Sequence, residues 1–355
     1  MTGPTRPPRR RPASVIAAGA LAAGAFTGGW ACGPPDPNEL VVAVPPGRIA
    51  DLETAFAPPF EAVHGVRIVP VGLRSADQAA RVRVERGNPS LDVLWIDAGE
   101  AALLARENLL DPPTGNPLGG PGSVTLPNLA GVERGAWFSP GALPASFAST
   151  IGFLYNTDAL PDPPRSWEAL ADPALANRLA LFGFGSTLGP LTLAALSRLA
   201  SGDERDADAG FAALARIRPN VRLFGASGPA ANQLVAQGEA WLTLGLPSQA
   251  RHLAAAAAPV GWIEPAEGAL ALPQGIQVPA GSPRAALAHA FADYMFSVQA
   301  QETAAGELLM APARSDVRIP AGVPRPEDLL RFDMVALGRL RAEWADRFRA
   351  EVLPE

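Results

Sequence analysis

The chain has 355 residues, enough for two modest domains with real cores, and its apolar content is 48% with few aromatics. The net charge is −6, and with Arg6, Arg9, Arg10 and Arg11 set aside the rest carries 25 basic against 35 acidic residues. That balance argues against a nucleic-acid partner, which needs a basic face, and the absence of lysine excludes a lysine Schiff base or P-loop lysine.

The N-terminus reads as an export signal. RPPRRRP is a basic n-region, and ASVIAAGALAAGAFTGGWA is an apolar stretch too rich in Ala and Gly for a strong permanent span. It ends at Ala31, directly before Cys32, the one cysteine. A lone thiol forms no internal disulfide. Gly29-Trp30-Ala31-Cys32 resembles a bacterial lipobox, with Trp30 in place of the usual aliphatic residue. Cys32 is therefore either a lipid attachment point or an idle thiol behind a cleavage after Ala31. Arg9, Arg10 and Arg11 leave a twin-arginine route open beside the general one.

GPPDPNE follows as a proline-rich tether. LVVAVPPG reads as a buried strand and its turn. IADLETAFAPPFEAV puts Leu52, Phe56, Phe60 and Val63 on one helix face, with Pro58 and Pro59 expected to kink or break it. VRIVPVGL is a second strand, SADQAARVRVERG a helix ending at Gly87, LDVLWID a third strand and AGEAALLARENLL a third helix. This alternation predicts a parallel sheet with helices on its faces, and ligands bind beyond the carboxyl ends of such strands. No GxGxxG or P-loop follows the first strand, so no nucleotide is indicated.

Residues 111–148 read as loop. GFLYNTDALPDPPRSWEAL then passes from an apolar strand through Asn156, Thr157 and Asp158 and three prolines to a helix capped by Ser166. A second α/β unit follows. LALFGFGSTLGPLTLAALSRLA and VRLFGASGPAANQLVAQGEA each read as strand, turn and helix, with an acid-led helix between them. WLTLGL, PSQARHLAAAAAP and VGWIEP add strand, helix and strand. ALALPQGIQVPAG is one more apolar strand. SPRAALAHAFADYMFSVQAQETAAG reads as one long helix, and PEDLLRFDMVALGRLRAEWADRFRAEVL as a final helix or helix pair with a solvated charged face.

The order of pieces resembles one family. LDVLWIDAGEAALLARENLLDP, GFLYNTDALPDPPRSWEALADPALANRLAL, GPAANQLVAQGEAWLTLGLP and GIQVPAGSPRAALAHAFADYMFSVQAQ together resemble the periplasmic solute-binding proteins of bacterial ABC importers. The likeness is to the branch of polyamine, ferric-ion and thiamine binders. It implies a type II clamshell, with two α/β lobes joined by hinge strands. The expected layout is a signal at 1–31, a tether at 32–39, a first lobe at 40–150 and a second at 151–266. A return crossing and C-terminal helices, packing mainly on the first lobe, occupy 267–355. The implied partners are a small-molecule solute and the permease subunits. No cofactor and no nucleic acid are expected, and the chain is expected to be a monomer that meets the membrane only through its signal or a lipid on Cys32.

The cleft chemistry stays open between two signs. A cationic solute, polyamine-like, would use carboxylates and aromatic faces: Trp95 and Asp97 at the end of the third strand, and Glu264 and Glu267 near the second crossing. The bland alternative puts Trp95 in the core, Asp97 on a helix cap and the two glutamates in solvent. An anionic solute, phosphonate-type, would use Ser186, Thr187 and Ser227 at helix starts, with Arg48 and Arg74 facing them, although ordinary capping uses the same residues. Ser149 and Thr150 could bond a solute of either sign. The acids tip the sequence reading toward a cation. A tyrosine-held ferric ion fits poorly, since Tyr155 and Tyr294 are far apart in sequence and His64, His252 and His289 are scattered; a ferric chelate or thiamine remains compatible. There is no GxSxG, HExxH or CxxC, which leaves an exported hydrolase, or a scaffold lipoprotein, as the competing class.

Overall fold

The computed structural model describes residues 36, 38–111, 126–132 and 142–353. The chain divides into two units, Met1–Asp36 and Pro37–Glu355, and the fold lies in the second. The expected signal and Cys32 lie outside the described residues.

Three apolar runs form parallel strands: β1 (Glu39–Val44), β2 (Arg67–Gly72) and β3 (Val93–Asp97), in the order β2-β1-β3. β3 is buried throughout, as a strand covered on both faces must be. Between β1 and β2 the helix has three parts, α1 (Ile49–Asp51), a π-helical turn (Leu52–Phe56) and α2 (Ala57–His64). Pro58 and Pro59 do not break it. The wider turn precedes them, with the Ala57 N–H reaching Leu52 O, and a proline in the first turn of α2 forfeits no intrahelical bond. Val63 is 79% exposed, one residue from the end of α2, so it is not part of the buried face. α3 (Ser75–Val84) and α4 (Ala98–Arg106) complete the first set of crossovers.

The polar-tailed strand of the sequence is β4 (Phe147–Asn156), and it belongs to both lobes. Residues 147–151 pair antiparallel with β9 (Leu270–Gln277), which in turn pairs with β3. From Gly152 onward β4 pairs with β7 (Leu242–Gly245) and β8 (Val260–Ile263). β5 (Leu179–Phe182) and β6 (Val221–Gly225) extend the second sheet parallel to β7. Its helices are α5 (Leu188–Ser201), α6 (Ala207–Ile217), α7 (Gly228–Ala236) and α8 (Pro247–Ala255). Ser166 Oγ does accept from the Ala169 N–H, at 3.2 Å, but it starts 3-10 turns and not an α-helix.

The expected long helix after β9 is two, α9 (Ala285–Met295) and α10 (Val298–Leu308), because Ser297 turns extended and caps α10 through the Ala300 N–H. Both supply the first-lobe core around Phe56, Trp95, Phe147 and Phe291. After β10 (Ala311–Pro312), which pairs with the start of β4, the chain ends in α11 (Met334–Glu351). This last helix lies against both lobes, on α4 of the first and α5 of the second. Leu337, Trp344 and Phe348 of α11 join the second-lobe core, where Phe348 packs on Phe184 and Phe224.

Candidate functional site

A cavity of 260 Å³ lies between the lobes, above the paired strands β4 and β9. Strand carboxyl ends and helix N-termini converge on it. The first lobe supplies the turn after β1 with Arg48, the start of α3 with Arg74 and Ser75, and Asp97 at the end of β3. The second supplies Ser186 and Thr187 before α5, Ser227 before α7, and Leu246 and Gln249 at the start of α8.

A continuous row of hydrogen bonds crosses the floor. Arg48 Nη1 pairs with Asp51 at 2.7 Å, and its Nη2 donates to Ser149 Oγ at 2.8 Å. Ser149 donates to Gln274 Oε1 at 3.0 Å, and Gln274 Nε2 donates to Asp97 Oδ1 at 2.9 Å. Thr187 Oγ1, from the second lobe, donates to Asp97 Oδ2 at 2.7 Å. The Asp97 side chain does not cap α4, although it sits at the N-cap position with extended backbone. At the rim Arg74 forks onto Asp77 and reaches across to Gly185 O at 3.1 Å. Its bond to Asp77 holds the guanidinium pKa above its ordinary value. Arg341 of α11 enters from the side, donating to Phe184 O at 2.9 Å and to Glu100 of α4 at 3.2 Å. Burial pushes the Glu100 carboxyl above the usual range, against the pull of Arg341.

Seven of the residues singled out from sequence thus come together in the cleft: Arg48, Arg74, Asp97, Ser149, Ser186, Thr187 and Ser227. Four do not. Trp95 is fully buried in the first-lobe core, against Phe56 and Phe147. Thr150 faces the back of the hinge, because alternate residues of a strand point to opposite faces and Ser149 and Ile151 take the front. Glu264 accepts the Ala269 N–H in a local turn, and Glu267 accepts the Trp167 N–H at the 3-10 turn that follows Ser166. Gln274 and Arg341 line the cleft and were missed. Gln274 stood in the apolar crossing LPQGIQV, and Arg341 on a helix face that reads as solvated.

Tyr294 packs on Phe60 and Phe291 in the first-lobe core, and burial pushes its pKa up to about 12. Among the described residues no group of three His, Cys, Asp or Glu is placed to hold a metal ion. No helix among them is long and apolar enough to cross a membrane.

A family model described as "Bacterial extracellular solute-binding protein" matches residues 55–329. No curated protein matches. Solved structures match along nearly their whole length. The periplasmic binding protein AfuA from Actinobacillus pleuropneumoniae, with exogenous fructose-6-phosphate bound, shares 19% identity at TM-score 0.74, over 89% of this chain and 99% of that one. Iron-bound HitA from Pseudomonas aeruginosa shares 19% at TM-score 0.70, over 87% and 98%. The ferric binding protein from Campylobacter jejuni shares 15% at TM-score 0.66, again over 87% and 98%. These likenesses fix the fold as the type II periplasmic-binding-protein clamshell, two α/β lobes joined by hinge strands. With the family model spanning most of the folded chain, this protein belongs to the bacterial extracellular solute-binding proteins, the solute-capturing components of ABC importers.

Proposed function

We propose that this protein captures a small anionic solute, with a phosphate, phosphonate or carboxylate head, and delivers it to its permease. One observation carries the sign. Three arginines, each paired with one carboxylate outside the lining (Asp51, Asp77 and Glu100), and the N-termini of α3, α5, α7 and α8, none with a side-chain cap bond in the cap position, converge on the cleft. Each such terminus leaves first-turn N–H groups without intrahelical partners and adds a positive dipole end. The one carboxylate among the lining residues, Asp97, already accepts two hydrogen bonds.

The cationic reading keeps Asp97 alone of its four residues, since Trp95, Glu264 and Glu267 serve elsewhere. AfuA, whose structure holds a sugar phosphate, makes an anion compatible with the fold. A tyrosine-held ferric ion is disfavoured by the core position of Tyr294. Binding without turnover is the reading that membership of a solute-binding family supports, and hinge closure about β4 and β9 retains the solute.

Titration calorimetry and thermal unfolding with inorganic phosphate, methylphosphonate, acetate and putrescine test this. An anion that binds only the folded state raises Tm. Binding of putrescine with none of the anions would replace the reading with a cationic one. The same reading has the protein exported as a monomer, with Cys32 as its lipid-bearing residue. Fatty-acid labelling abolished by Cys32→Ser supports the anchor, and unchanged labelling removes it.

A further inference from the structure

We infer that the solute carries its anionic head on a short aliphatic body, and is neither a polyol nor an aromatic. This rests on the anionic reading and deepens it. The two hinge strands change character along the cleft. Along each strand the polar front residue lies nearer the first lobe, Gln274 beyond Leu272 on β9 and Ser149 before Ile151 on β4, with Leu272 directly opposite Ser149. Leu244 on β7, Leu246 before α8 and Leu188 of α5 continue the apolar part. Opposite the row of charge and hydrogen bonds there is thus an aliphatic wall formed by the exposed edge of the second-lobe core.

Apolar lining is common in binding clefts. Two further facts make it selective here. No aromatic side chain lines the cleft among the described residues, so no ring is available to stack on a flat or sugar-like ligand. The polar side chains are also committed. Ser149, Thr187 and Gln274 bond one another's neighbours in the floor row, and Gln249 accepts from Asn232 Nδ2 at 2.9 Å and from the Leu246 N–H. Ser75 and Ser186 accept the backbone N–H groups of Asp97 and Leu188, and Ser227 stands at the exposed rim. A string of sugar hydroxyls would be buried against leucine and isoleucine without partners, which costs affinity. The backbone donors at the helix starts suit one compact anion. The leucines suit methylenes.

The volume sets a length. A cavity of 260 Å³ lies at the small end of ligand pockets, so the body it takes is short. Calorimetry on the full chain with methyl-, propyl-, butyl- and hexylphosphonate reads this directly, because the head stays constant. The expected result is a Kd that tightens about fourfold per methylene, the effect of burying one CH2 group, and that levels off near the longest member. Glucose 6-phosphate should bind more weakly than butylphosphonate. If methylphosphonate binds but the longer chains gain nothing, or glucose 6-phosphate binds tighter than all of them, the aliphatic body is wrong while the anionic head stands. If no phosphonate binds and putrescine does, both fall.

Discussion

Ser149 and Thr150 are neighbours on one strand, yet they meet opposite surroundings. The front of the hinge carries the bonded row and the aliphatic wall of the cleft. The back is a small cluster of Ala148, Ala269, Ala271, Ala311 and Leu329, with Trp262 against it. The front is specified by polar groups whose partners come from four different segments. The back is specified by small volume, which lets two strands and the β10 end pack closely where the chain passes between lobes. Binding chemistry therefore sits on one side of the crossing and close packing on the other.

The largest expected break in this division is at Arg48. Its ion pair with Asp51 is buried, with side chains 5% and 9% exposed. Arg48→Met leaves Asp51 uncompensated and should cost about 3–5 kcal/mol in urea unfolding. Arg48→Met with Asp51→Leu should recover most of that, while phosphonate affinity stays about 10- to 100-fold down. Full affinity in the double variant would remove Arg48 from the anion site.

The pivot itself is next. Gly152 is where β4 changes partners, and a Cβ there would lie 2.5 Å from the Trp262 ring and 2.7 Å from Ile263 O. The indole is fixed by its N–H donating to Gly245 O at 2.9 Å. Gly152→Ala should cost about 1–3 kcal/mol through overpacking. It should also shift the emission of Trp262. A neutral effect would mean that the back of the hinge has slack the close contacts do not suggest.

The adjacent pair sharpens the comparison. Thr150 Oγ1 is buried with no hydrogen-bond partner among the described residues. Thr150→Val keeps the shape and removes a desolvated hydroxyl, so it should stabilise by about 1 kcal/mol and leave solute affinity unchanged. Ser149→Ala strips partners from Arg48 and Gln274 and should weaken anion binding. Equal effects on affinity would erase the front–back distinction.

Much of the fold was legible because period and run length carry it: β3 is an apolar run covered on both faces, and the helices take its ends. The cleft was legible where topology decides, since strand ends and helix starts converge whatever their sequence. That is why Arg48, Asp97, Thr187 and Ser227 were within reach. Gln274 was not, because its role depends on a partner 177 residues away across β9 and β3. Arg341 was hidden for a similar reason: its helix is polar enough to look solvated until α11 is seen against α4 and α5. Glu264 and Glu267 misled because charge near a crossing does not say which way the side chain turns. A backbone N–H close in space claimed each of them.

The smallest effect tests how the side entrance to the cleft couples to its charge. Glu100 is largely buried beside Arg341, and burial raises its pKa, with Asp97 and Glu107 adding to the shift and Arg341 and Arg83 opposing it. A raised folded-state value means that the native protein holds this proton more readily than the unfolded chain. The group's contribution to stability is therefore fully present below the unfolded carboxylate value, and it is lost as pH rises through the raised one. The same titration acts on the cleft. As pH falls through the raised value, Glu100 becomes neutral, Arg341 loses its counter-charge, and an anion binds more tightly. Because Arg341 also keeps its bond to Phe184 O and is partly exposed, the gain should be only about two- to fivefold. An alkylsulfonate is the right probe, since its own charge is constant across this range. Glu100→Gln should bind it with the low-pH affinity at every pH. A variant that retains the wild-type pH profile would show that Arg341 contributes to the cleft by packing and not by charge.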